Sequence, residues 1–214
     1  MSLEVATVCL SVEAPGAVDR AVATLRQGEV IAFPTDTVYG LGAHAFLPQA
    51  VARLFAVKDR PAGVAIPLLL SGAEAMSLVC VDIPPLAWEI AERFWPGALS
   101  LILHRGPAVP DAVTAGGPTV AVRVPDHALV RELCRRLSAP LATTSANRHG
   151  WPSAVTAAEV RTALAGRIPL VLDGGPSRSG VASTVLDLTV SPPAILRSGP
   201  VTAEQLAPFI PFWP

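Results

Sequence analysis

The residues in this chain best suited to chemistry fall in short polar runs, each set directly behind an apolar one. The first, PTDTVYGLG at 34–42, follows VIAF. Thr35 and Thr37 offer short hydroxyl donors, Gly40 and Gly42 let backbone come close to a ligand, and Tyr39, the only tyrosine, brings a ring with a polar end. The same run also fits a turn in which Asp36 caps the next helix. The second, KDRP at 58–61, places Lys58 and Arg60 two residues apart at the end of a helical pattern. On a continued helix they would not share a face; in a loop they converge on one polyanion. Lysine meets phosphate as a point charge and arginine as a two-pronged donor, so the pair suits a triphosphate. Cations complementing the carboxyl end of a helix are the plainer reading.

The third run, TTSANRHG at 143–150, follows an apolar strand pattern with hydroxyls, then an amide. Ser145 and Asn147 suit phosphate oxygens or an adenine edge, and a helix N-cap is the alternative. No G-x-S-x-G surrounds Ser145 and no base is assignable to it, which argues against a catalytic serine. DGGPSRSGVAST at 173–184 is another donor-rich connection, and Arg197 in ILRSG adds a third cation after a strand. Neither GxxxxGK[ST] nor GxGxxG occurs, so no P-loop or Rossmann fingerprint supports nucleotide binding.

The elements that position these runs alternate. Helical periodicity marks 18–28, 47–58, 84–94, 127–137 and 157–166. Short apolar runs predict strands at 30–33, 66–70, 98–103, 119–124, 141–144, 169–173, 183–188 and 194–199. Such alternation predicts an α/β fold, an open twisted sheet with helices on its faces, and consecutive strands near 98 and 119 and near 183 and 194 make it mixed. Ligands of open sheets sit in loops after strand ends. The 214 residues carry no polar linker, so one domain is expected over 1–214, with its core at about 12–206.

Charged residues are only 15% of the chain, and mean hydropathy is +0.48. The most apolar window, 64–81, contains Pro67, Gly72 and Glu74, which suits a strand, a turn and a helix start better than a membrane span. The amino terminus lacks the basic stretch of a signal peptide. Three cysteines without short spacing argue for a reducing, cytoplasmic setting, and the dispersed histidines suggest no zinc site. A net charge of −1 offers nucleic acid no global attraction.

Together the runs resemble the YrdC/Sua5 family, the threonylcarbamoyl-AMP synthases. PTDTVYGLG, KDRP, FWPGALSLIL, TAGGPTVAVRVPDH, TTSAN, STVLDL and ILRSG occur in family order across nearly the whole chain. The resemblance implies a twisted mixed sheet around a concave cleft. It implies ATP-dependent synthesis of L-threonylcarbamoyladenylate from L-threonine and bicarbonate or carbon dioxide, the first step of tRNA threonylcarbamoyladenosine (t6A) formation. By the same resemblance Lys58 and Arg60 are catalytic, and with Thr143, Ser145, Asn147, Ser183 and Arg197 they surround ATP. Thr35, Tyr39 and Thr119 border threonine, and Mg2+ is held mainly through the ATP phosphates by no assigned protein ligand. The machinery that transfers the product to tRNA is the implied partner, with weak tRNA or double-stranded RNA contact and no membrane. A double-stranded RNA or tRNA-binding ribosome-maturation factor without turnover is the alternative, and a carbamoyl-transfer domain is a third, weaker reading. The chain departs from relatives at Val64 and Ala65, His44 and His149, and it resembles the short, single-domain form.

Overall fold

From Val30 to Phe33 every residue is buried, because successive side chains leave opposite faces of a strand and both faces here are covered. Ile31 and Phe33 enter one apolar layer and Val30 and Ala32 the other. The computed structural model describes residues 5–59 and 63–210. In chain order the strands are β1 (Val8–Ser11), β2 (Ile31–Phe33), β3 (Gly40–His44), β4 (Leu68–Leu69), β5 (Leu99–His104), β6 (Thr119–Arg123), β7 (Leu141–Ser145), β8 (Leu170–Asp173), β9 (Thr184–Asp187) and β10 (Ala194–Arg197). The α-helices are α1 (Ala17–Arg26), α2 (Pro48–Val57), α3 (Pro85–Phe94), α4 (Asp111–Thr114), α5 (Ala128–Leu137), α6 (Ala157–Leu164) and α7 (Ala203–Leu206).

The strands form one ten-stranded sheet in the order β1-β8-β2-β3-β7-β4-β6-β5-β9-β10. Four pairs are parallel (β1 with β8, β8 with β2, β4 with β6, β5 with β9) and the other five antiparallel, so the sheet is mixed as expected. Helices α1 and α5 bury Ala21, Leu25, Val130 and Leu133 with Phe33, Leu141 and Leu172 on one face. Helices α2, α3 and α6 bury Leu54, Ile90 and Val160 on the other. Helix α6 starts at a capping box: Glu159 N–H donates to Thr156 Oγ1 at 3.3 Å, and the Glu159 carboxylate accepts from the Thr156 N–H. Among the described residues no helix is long and apolar enough to cross a membrane.

The expected helices form with ends moved by a few residues, and the helix start expected within 64–81 is a 3-10 turn, Ala73–Leu78. Strand β3 is a correction. GLGAH reads as a ligand-facing loop, but it pairs antiparallel with β2 and β7 in mid-sheet. Its glycines leave room for Phe33: a Cβ on Gly40 would lie 2.9 Å from the ring, and one on Gly42 only 2.6 Å. Backbone, ring and the Thr143 methyl close together where any larger residue would collide.

Gly42→Ala is therefore expected to destabilise the fold by about 1–3 kcal/mol through overpacking against Phe33. Thermal unfolding followed by circular dichroism checks this, with a melting temperature lower by several degrees; an unchanged midpoint would refute the packing role.

Candidate active site

A cleft of about 310 Å³ opens on the sheet, at the lower end of the range for ligand sites. It lies on the face that α1 and α5 cover elsewhere: Leu69, which belongs to that apolar layer, is in register with Arg123, and both line the cleft. The floor therefore crosses β7, β4, β6 and β5 rather than sitting only beyond strand ends, a correction to the expectation for open sheets. Hydroxyls dominate the lining, with Thr35, Thr37, Thr143, Ser145, Ser100 and Ser183 all present.

One wall is the turn between β2 and β3. Arg123, at the end of β6, reaches it and is 6% exposed. Its Nη2 donates to both oxygens of Asp36 at 2.6 Å, Nη1 to Thr37 Oγ1 at 3.1 Å, and Nε to the Gly97 carbonyl at 2.8 Å. The Thr35 hydroxyl donates to the Val38 carbonyl at 2.7 Å and lies 3.0 Å from Thr37 Oγ1. The hydroxyls expected to face a ligand are thus first held by the protein. Burial lowers the affinity of the Arg123 guanidinium for its proton, and the Asp36 carboxylate opposes that shift.

The opposite wall brings together two distant motifs. Lys58 caps α2, is 3% exposed, and its Nζ donates to the Ser145 carbonyl and to Asn147 Oδ1, the latter at 3.2 Å. Asn147 Nδ2 donates to the carbonyls of Arg148 and Trp151, at 2.9 and 2.6 Å, so the amide that receives Lys58 is itself fixed. Ser145 lines the cleft; Lys58 and Asn147 sit against it, outside the lining.

At the far end, Arg197 on β10 grips Ser183, with Nε donating to its carbonyl at 2.9 Å and Nη2 to its hydroxyl at 3.2 Å. Ser100 on β5 lies 2.9 Å from the same hydroxyl. This approach requires Gly199, where a Cβ would lie 2.5 Å from the Thr184 nitrogen. Burial also lowers the Arg197 proton affinity, and among the described residues no carboxylate pairs with it.

Of the residues expected at the site, Thr35, Tyr39, Thr143, Ser145, Ser183 and Arg197 line the cleft. Arg60 lies outside the described residues. Thr119 pairs with His104, four residues along β6 from Arg123, about 13 Å at the strand rise, and is not in the lining. Arg123 is the residue of that strand that enters the cleft. Its signal was legible, since a lone charge in the apolar run TVAVRV needs a buried partner. Of the departures, Ala65 lines the cleft, Val64 is exposed beside it, and the His149 N–H donates to the Lys58 carbonyl at 3.1 Å. His44 closes β3 opposite Leu141, at the other end from Gly40.

Among the described residues no three His, Cys, Asp or Glu side chains converge as metal ligands. Asp36, the carboxylate beside the cleft, is committed to Arg123. Removing it in Asp36→Ala leaves a buried guanidinium unpaired, an expected cost of about 3–5 kcal/mol. Chemical denaturation of Asp36→Ala, Arg123→Met and the double variant measures the coupling; the second change is expected to recover part of the loss, and simple additivity would refute it.

The family model described as Telomere recombination (Sua5, YciO, YrdC) matches residues 23–199. The threonylcarbamoyl-AMP synthase of Bacillus subtilis strain 168 is 44% identical over 191 residues, 87% of this chain and 54% of that protein. That of Pyrococcus abyssi strain GE5/Orsay is 42% identical over 182 residues, 85% of this chain and 54% of that protein. The chain thus spans about half the length of these curated relatives. The crystal structure of P. abyssi Sua5 complexed with L-threonine superposes with a TM-score of 0.91 at 38% identity, over 96% of this chain and 61% of that one. With the family model spanning nearly every segment that builds the cleft, the chain belongs to the Sua5/YciO/YrdC family.

Proposed function

We propose that this chain is a threonylcarbamoyl-AMP synthase, joining L-threonine, bicarbonate or carbon dioxide, and ATP into L-threonylcarbamoyladenylate with release of pyrophosphate. The observation that carries this reading is the meeting of Lys58 with Ser145 and Asn147, 87 and 89 residues away, at the wall of a hydroxyl-lined cleft. The names of the relatives and the threonine-bound P. abyssi structure support it.

In this reading the threonine amine captures carbon dioxide and the resulting N-carboxylate attacks the α-phosphorus of ATP, so no protein nucleophile is needed. Catalysis is then placement and charge. Lys58, with Arg60 assigned on its motif alone, offsets charge gathering on the transferred phosphoryl group and on pyrophosphate. Thr143, Ser145 and Asn147 keep that wall in position. Arg197, without a carboxylate partner among the described residues, suits the nucleotide end together with Ser183. Thr35 and Tyr39 border the threonine end at the β2–β3 turn. The donor set fits Mg2+ carried on ATP phosphates rather than caged by side chains, and when bound the ion supplies further neutralisation of phosphate charge. The adenylate passes to the machinery that transfers the threonylcarbamoyl group to tRNA.

Pyrophosphate release with ATP, Mg2+ and bicarbonate, in the presence of L-threonine, L-serine or no amino acid, tests the reading, with mass spectrometry of the adenylate. Threonine-dependent release is expected; its absence in folded protein that binds RNA would favour the ribosome-maturation alternative. Lys58→Ala is expected to lose about 3 kcal/mol of transition-state stabilisation, roughly 100-fold in rate, while retaining its circular dichroism spectrum. Wild-type release by that variant would remove Lys58 from its role.

A further inference from the structure

Tyr39 is fully buried, yet its hydroxyl does not face the cleft as a ligand donor: it donates to the Gly175 carbonyl at 2.7 Å and accepts from the Gly174 N–H at 3.3 Å. Those glycines open the connection between β8 and β9, which has no regular structure from 174 to 183 and continues into Ala182 and Ser183 of the cleft lining. The segment lies over the β2–β3 turn. Ser179 N–H donates to the Asp36 carbonyl at 3.2 Å and Gly180 N–H to the Thr37 carbonyl at 2.8 Å, while Ser177 N–H reaches the Val155 carbonyl at 2.8 Å. Arg178 adds an exposed 3.8 Å ion pair with Asp126.

Two features set this segment apart from the sheet around it. Gly175 and Gly180, one at each end, have φ of 78° and 66°, and a Cβ on the first would meet nothing within 4 Å. Their left-handed backbone favours glycine, and neither is crowded, the nearest atom to a Cβ on Gly180 being a Val155 methyl at 3.9 Å. Beyond Gly180 the chain is fixed again, because Arg197 and Ser100 hold Ser183. The stretch between is seated by a few backbone hydrogen bonds and no apolar core residue. The Ser177 hydroxyl is buried in the seated position without a hydrogen-bond partner among the described residues, so seating does not satisfy every group it covers.

We propose that residues 175–180 form a strap, hinged at Gly175 and Gly180 and pinned by the Tyr39 hydroxyl, that gates entry of an amino-acid substrate at the β2–β3 turn. This rests on the synthase reading for the identity of the guest. Tyr39 is then a positioning residue that acts through the strap. Burial pushes its phenol up to about 12, so the pin stays a neutral donor at working pH.

Amide hydrogen exchange by NMR on the full chain tests this. In Tyr39→Phe, Ser179 and Gly180 are expected to exchange at least about fivefold faster, the worth of one net hydrogen bond. Ala32 and Val171 in the sheet should keep wild-type protection. Gly180→Ala, strained at its positive φ, should likewise speed exchange at Ser177 and Ser179. Saturating L-threonine should slow exchange of the strap amides in the wild type. Unchanged strap exchange in both variants, or equal acceleration in the sheet, would overturn the pin and hinges. Threonine that binds by calorimetry without protecting the strap would overturn the gating. No threonine binding at all would sink the synthase reading and the gating together, while the pin is still judged by the variants' exchange.

Discussion

A guanidinium buried at the end of a sheet strand has to be answered, and the answer given to Arg123 organises the cleft. Withdrawing the charge from water costs several kcal/mol, and one carboxylate recovers this only when the remaining donors are also satisfied. Asp36 supplies the carboxylate, and Thr37 and the Gly97 carbonyl take the other donors. The β2–β3 turn is thereby tied to β6, and the turn after α3 is tied to the same side chain. Such a pair contributes less to net stability than to uniqueness: other shapes of the 34–39 loop would strand a charge. The threonine hydroxyls take their orientation from it.

The rest of the cleft follows a second rule, that its positive groups are located by main-chain oxygens. Lys58 rests on the Ser145 carbonyl and Arg197 on that of Ser183. Carbonyls of strands and strand ends move little, so the charges have defined places before any anion arrives. In the proposed synthase reading, that is the preorganisation that nucleotidyl transfer rewards, since no donor has to be reoriented as charge develops. The side-chain hydroxyls then complete a surface already set by backbone.

Much of this was legible from residue pattern. The five long helices each bury one face, so their periodicity is plain, and the strands flanking them are short apolar runs. Strand β3 was hidden because Gly40 and Gly42 erase the alternation that marks a strand; their partner, the ring of Phe33, lies on another strand and cannot be read locally. The PTDT, KDR and SAN runs were recognisable as polar groups behind strands. Their division of labour was not, because it depends on contacts such as Lys58 with Asn147, whose partners lie 89 residues apart in sequence. Within TVAVR the threonine drew attention by type, but Thr119 and Arg123 share a face of the strand and lie four residues apart, so it is the buried arginine that reaches the cleft lining.

The seat of Lys58 has a consequence for how such a site diversifies. Its ammonium is received at position 145 by a carbonyl, which every amino acid carries, and at 147 by a particular side-chain amide. A change of side chain at 145 therefore leaves that carbonyl in place for the lysine, whereas a change at 147 removes an acceptor. The two polar residues of one short motif thus do different work: the side chain of the first shapes what the cleft wall presents, and that of the second helps to keep a charge in place.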